Sequence, residues 1–139
     1  MRILWGCLAV FVIAPLVGLF YLIMTPIWRD NARFDDFRER VLAYPLPPET
    51  RSTSDSEATF GKISGGNGDY CEYRVRLILQ TGLSQKEIWA HYGRAAIAGA
   101  DDSEKVEVRI RFGEETGNSR AVIVEFGDIS PSDWDWRCT

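Results

Sequence analysis

Histidine is almost missing from this chain of 139 residues: His91 stands alone, beside three cysteines and two methionines. One histidine and no Cys-x-x-Cys pair exclude an ordinary structural zinc site. There is no Gly-Lys-Ser/Thr and no G-x-G-x-x-G, so neither nucleotide fingerprint is present. Positive charge is also short. Sixteen Lys and Arg face twenty Asp and Glu, and only Arg2 of the basic residues precedes Arg29. An acidic body repels phosphate, which argues against general binding to nucleic acid or anionic lipid surfaces. No metal, no cofactor and no nucleic acid partner is expected.

What the chain does have is one long run without charge. From Ile3 to Met24 it reads ILWGCLAVFVIAPLVGLFYLIM, which as a helix is roughly 33 Å long and crosses a bilayer. A cleaved secretory signal has an apolar region of only roughly 7–15 residues. Residues 1–28 are therefore expected to be an uncleaved signal anchor that meets membrane lipid through residues 3–24. LWGC at Leu4 to Cys7 looks like a lipoprotein processing box but has no apolar export segment before it, so Cys7 is read as a membrane-embedded thiol. Pro15 falls mid-span, and Trp5, Tyr21 and Trp28 lie near the ends, where interfacial aromatics belong. Two arguments about orientation conflict. Arg29, Arg33, Arg38 and Arg40 after the span would keep the body in the cytoplasm, whereas the short tail before it is the form of a signal anchor, and the two remaining cysteines point to an oxidising compartment. The second pair of arguments is preferred: a single-pass protein with its body periplasmic or extracellular.

Residues 29–49 form a juxtamembrane stretch. Phe34, Phe37, Val41 and Tyr44 recur at helical spacing, which predicts an amphipathic helix packing back on its own domain, ended by Pro45-Leu46-Pro47-Pro48. Residues 50–139 remain for one small domain. Its polar run Thr50 to Ala58 predicts a loop or an edge-strand lead-in and holds no Asn-x-Ser/Thr acceptor. Glycines 61, 65, 66 and 68 make a hairpin turn at Asn67-Gly68 rather than a phosphate cradle, because a strand follows them and not a helix. The flanking strands are predicted around Ala58 to Ser64 and from Tyr70 to Thr81, the latter with Cys71, Tyr73, Val75, Leu77 and Leu79 on one face and Glu72, Arg74, Arg76 and Gln80 on the other. Ser84-Gln85-Lys86-Glu87 reads as a capping box. It opens a helix with an apolar stripe of Ile88, Trp89, Tyr92, Ala95 and Ala96, for which Gly99 is a stop. A second hairpin pairs a strand over Val106 to Phe112 with one over Ala121 to Phe126, and the alternating end predicts a short last strand with Trp134, Trp136 and Cys138 on one face. The expected fold is α+β: an N-terminal transmembrane helix, then an antiparallel sheet of four or five strands packed by one helix, in the order α-β-β-α-β-β.

With Cys7 in the membrane, Cys71 and Cys138 are one even pair on inward strand faces, and a disulfide between them is expected. PLPPET, GGNGDYC and LSQKEIWAHY, between Tyr44 and Tyr92, resemble a pattern found in a family of small uncharacterised bacterial proteins, many membrane-anchored or secreted. That resemblance implies a shared fold and an envelope location and carries no activity with it.

Candidate chemistry is sparse. Glu87, His91 and Arg94 follow one another on the exposed side of the predicted helix, and a solvated face outweighs a general base because no nucleophile is tied to the histidine. The Trp134 and Trp136 pair is read as core before binding anchor. Carboxylates gather at Ala100 to Lys105 and Ser132 to Trp136 without forming a calcium loop. No catalytic residue is assigned. Glu87, His91, Arg94 and Trp134 are the candidate partner surface. Two functions follow: a non-catalytic binding or accessory module of the bacterial envelope with an unidentified protein partner, such as an envelope complex subunit or an immunity-type inhibitor; or, as the alternative, a small envelope hydrolase working through paired carboxylates.

Overall fold

The uncharged run and the amphipathic run behind it form one unbroken helix. In the computed structural model, which describes residues 2–53, 56–63, 70–101, 106–132 and 134–138 and side chains from residue 11 on except that of Thr116, helix α1 spans Arg2–Ala43. Its apolar part is long enough to cross a membrane, and from Phe11 on none of that apolar window is buried against the rest of the chain. Its second part turns Asp30, Phe34, Phe37 and Val41 to one side by spacings of three and four residues. Phe37 and Val41 are fully buried and Phe34 packs on the same core. The predicted amphipathic helix thus lies back on its domain, as a continuation of the anchor.

The sheet has five antiparallel strands: β1 (Thr50–Ser52), β2 (Glu57–Lys62), β3 (Tyr70–Thr81), β4 (Glu107–Thr116) and β5 (Ser119–Pro131). β1 and β2 share one flank of β3. Ser52 is paired with Leu79 and Glu57 with Arg76, so the two segments meet β3 in different registers. The polar run therefore does contain a strand, a short one at the edge. The turn expected at Asn67-Gly68 lies outside the described residues. β5 lies on the other flank of β3 and β4 beyond it. Because β3 and β4 are each antiparallel to β5, they run parallel to one another, and helix α2 (Gln85–Tyr92) carries the chain across the inserted strand. The turn at Gly117 and Asn118 is tight and Gly117 takes a positive φ of 65°, a conformation open to glycine at little cost.

Alternation along β3 is as predicted. Cys71, Tyr73, Val75, Leu77, Leu79 and Thr81 are buried, and Val122, Val124 and Phe126 of β5 stand beside them. Twelve strand residues extend roughly 40 Å, whereas the eight residues of α2 cover roughly 12 Å. One helix cannot cover this face. Ile88 and Tyr92 of α2 close part of it and Phe34, Phe37 and Val41 of α1 close more, so the expectation of a single packing helix is corrected to two.

Two further expectations change. α2 ends at Tyr92, with the Gly93 amide bonded to the Trp89 carbonyl, and does not run on to Gly99; Ala95 is only half-buried, and Trp89 and Ala96 are exposed. Gly99 has another task. A Cβ there would come within 2.7 Å of the Asp128 carboxylate, which accepts the Ala100 amide at 2.7 Å. The predicted last strand is instead a 3-10 turn over Trp136–Cys138. Alternation fails because Trp134 has a φ of 68° and the Asp135 side chain accepts the Arg137 amide at 3.0 Å. Trp134 and Trp136 are 92% and 66% exposed, so the reading of this pair as core is overturned.

Cys138 is fully buried and bonded to Cys71 across 67 residues, with 5.0 Å between Cα atoms. Constraining a loop of that length in the unfolded chain stabilises the fold by about 4 kcal/mol. Urea unfolding of the full chain in detergent should lose about that much when reductant is added. Phe37→Ala should cost a further 3–5 kcal/mol, roughly, by opening a cavity between α1 and the sheet; an unchanged midpoint for Phe37→Ala would mean that this part of α1 is not core.

Candidate functional site

Helices and the 3-10 turn gather on one face of the sheet. The other face stays open and its outward positions are charged. Arg76 and Glu125 are directly opposite on β3 and β5, and Arg109 of β4 is opposite Glu125 on its other flank. Glu125 is nearly buried: Arg76 bonds it at 3.0 Å, and Arg74 Nε lies 3.6 Å away. The outer ends are paired as well, Arg76 with Glu57 at 2.7 Å, Arg74 with Glu72 at 2.5 Å and Arg109 with Glu107 by two bonds of 2.9 Å. Gly127 leaves the floor bare, and a shallow cleft of about 170 Å³ opens there between Glu72, Arg74, Glu107, Arg109 and Ile129. Ile129 and Tyr70 are the exposed apolar groups at this end of the face. The hydrogen bond from Arg109 holds Glu107 below the usual carboxylate range, so this carboxylate is poised as an anion and not as an acid.

The second cluster is internal. Asp30 of α1 and Asp135 before the 3-10 turn are both fully buried. The Tyr73 hydroxyl donates to Asp30 at 3.4 Å and Arg33 reaches it at 3.3 Å. Arg137 grips Asp135 with Nε and one terminal nitrogen, reaches Asn31 at 2.8 Å and the Ile27 carbonyl at 3.3 Å, and lies over the Phe60 ring 4.5 Å from its centroid. Burial pushes Asp135 up, but the bonds from the Arg137 side chain and backbone, its charge, and a bond with Asp30 outweigh this and hold the group below its ordinary range. Burial and the Asp30 charge raise Tyr73. Paired carboxylates are therefore present, yet sealed from any substrate. They lock the C-terminal segment to α1.

The residues chosen from sequence are spread out. The amide and hydroxyl of Ser84 bond Glu87 at 2.9 and 2.6 Å, completing the capping box and holding its carboxyl low. His91 Nε2 lies 2.8 Å from the Pro45 carbonyl, and Tyr44 donates to the His91 carbonyl at 3.3 Å, so the histidine fastens the proline-rich segment. Arg94 returns to the Ala90 carbonyl at 2.8 Å. Trp134 is not with them. It lies in a groove with Tyr21, Leu22, Thr25, Pro26 and Arg29 of α1. Among the described residues no group of three or more His, Cys, Asp or Glu side chains is placed to hold a metal ion.

No protein-family model, curated protein or solved structure matches the chain.

Two pH limbs follow. Asp135, lower in the fold than its unfolded value of about 3.9, contributes stability that is present above that pH and lost as pH falls through the folded value. Tyr92, pushed up to about 12 by burial and by Tyr44, contributes stability that is full below about pH 10 and lost as pH rises toward 12. In Arg137→Met the side-chain bonds and charge of residue 137 are lost while burial, the residue-137 amide and the Asp30 bond stay, so the acid limb should weaken. At neutral pH the variant should lose about 3 kcal/mol, the low end for a broken buried pair because the Arg137 head is partly solvated. Urea midpoints from pH 3 to 8, roughly, measure both effects; an acid limb unchanged in Arg137→Met would overturn the assigned cause.

Proposed function

We propose that the chain is a membrane-tethered, non-catalytic binding or accessory module of the bacterial envelope, with its folded body outside the cytoplasm and a protein partner on the open face of the sheet. The observation that carries this reading is that face itself. Arg74, Arg76 and Arg109 are already paired with glutamates there, Ile129 stands exposed beside Arg74 and Arg109, and Tyr70 is exposed at the same end. Aromatic and arginine side chains around an exposed apolar group are the composition of an interface core, and a rigid strand surface loses little entropy when it is covered. The Cys71–Cys138 bond supports an oxidising compartment, and the apolar part of α1 supports a tether. An envelope complex subunit or an immunity-type inhibitor needs no more than these parts. The alternative, a hydrolase, has less support, because the hydrogen-bonded carboxylates Asp30 and Asp135 are shut inside.

Location and surface are tested separately. Alkaline phosphatase fused after Thr139 should be active, whereas an inactive fusion beside an active cytoplasmic reporter at the same position reverses the orientation. Capture from mild-detergent extracts should lose its partner about tenfold or more in Arg109→Ala with Ile129→Ala, two exposed sites whose loss leaves the core intact. The triple alanine variant of Glu87, His91 and Arg94 should retain it. Loss of the partner in the triple variant alone would move the contact to α2.

A further inference from the structure

We propose that Trp134 is a second membrane contact, seated in the interfacial layer of the same bilayer that α1 crosses. This rests on α1 being a membrane span. Trp134 combines two costs that water does not repay. It is 92% exposed and its backbone has a φ of 68°, a left-handed region that bulky residues rarely adopt. A residue held this way against its preference has a use for its position.

The position is specific. Trp134 borders a groove with Gly18, Tyr21, Leu22, Thr25, Pro26 and Arg29, which are the last turns of the uncharged run and the first charge after it. From Tyr21 to Arg29 is roughly 12 Å along the helix, the stretch where the hydrocarbon core gives way to headgroups. Tyr21 and Trp28 are packed edge to face there, 6.1 Å apart, and are themselves exposed. Trp and Tyr favour this layer because the ring is apolar and its N–H or O–H needs a polar partner. Trp134 joins that belt from outside the helix. It cannot drift from it, because Arg137 bonds Ile27 and Asn31 of α1 and Cys138 is tied to β3.

Lipid is the occupant because the groove continues the exposed apolar surface of the span, and the contact is aromatic on a chain with a net negative charge. Two contact points, the span and Trp134, stop the body from rotating about α1. The open sheet face then meets a partner at a set angle to the membrane.

The test uses the full chain in liposomes with Trp134 as its sole tryptophan, made by Trp5→Phe, Trp28→Phe, Trp89→Phe and Trp136→Phe. Matching chains keep only Trp28 or only Trp89. Protection of Cys71 and Cys138 from thiol label before reduction shows that each chain is folded. Lipids brominated near the headgroup end of their acyl chains should quench Trp134 about as strongly as Trp28 and several-fold more than Trp89, and its emission should shift to the blue. Unquenched Trp134 beside quenched Trp28 overturns the seat and leaves the span standing. Blue-shifted but unquenched emission means that protein covers Trp134, from a second copy or another helix, and overturns it too. If Trp28 is also unquenched, the span fails and the seat fails with it.

Discussion

A long strand must be covered along its length, and the rest of this structure answers that constraint. β3 runs for 12 residues with every second side chain inward, and α2 reaches less than a third of it. The remainder falls to α1, whose Phe34, Phe37 and Val41 sit on the sheet, and to the C-terminal turn, which brings Cys138 back to Cys71 at the start of β3. The long apolar helix and the domain core are therefore one piece. A rigid helix that is apolar and exposed in one part and core in the next cannot swing its domain as a flexible linker would.

The polar joint between them follows from the same geometry. Asp30 lies one turn before Phe34 on the face that α1 turns to the sheet, so closing the core buries a carboxylate. Buried carboxyl groups need partners: Tyr73 and Arg33 reach Asp30, and Arg137 grips Asp135. The joint makes docking of the C-terminal segment specific: Arg137 has its carboxylate, amide and carbonyl acceptors only when Asp135, Asn31 and Ile27 are together. Groups of the kind a hydrolase needs thus serve architecture.

With helices and the C-terminal turn gathered on one face, the other is left to the strands' outward residues. Arg74, Arg76 and Arg109 there are linked with Glu57, Glu72, Glu107 and Glu125 in a lattice of ion pairs. Preorganised pairs of this kind lower the cost of covering a surface.

Local rules made several elements legible. Period-two alternation located β3 from Tyr70 to Thr81 with the correct inward face, Ser84 and Glu87 marked the start of α2, and the parity of Cys71 on its strand led to its bridge with Cys138. Each depends on neighbours within a few residues or on a simple count. Other features depend on residues far apart in the chain. Asp30 and Arg137 are 107 positions apart, and the one local hint of their joint was a carboxylate on an apolar stripe. His91 read as solvated surface because the Pro45 carbonyl that it meets is 46 residues away. The SDWDWRC ending alternated like a strand, but a disulfide, a salt bridge and a left-handed Trp134 shaped it into a 3-10 turn instead. The sequence by itself determined the long apolar helix, the sheet's inward face and the cysteine pair, because periodicity and composition act locally. Only the tertiary structure decided that the anchor continues into the core, that the paired carboxylates are buried and that a charged sheet face stays open, because these depend on which surfaces remain once the long strand has been covered.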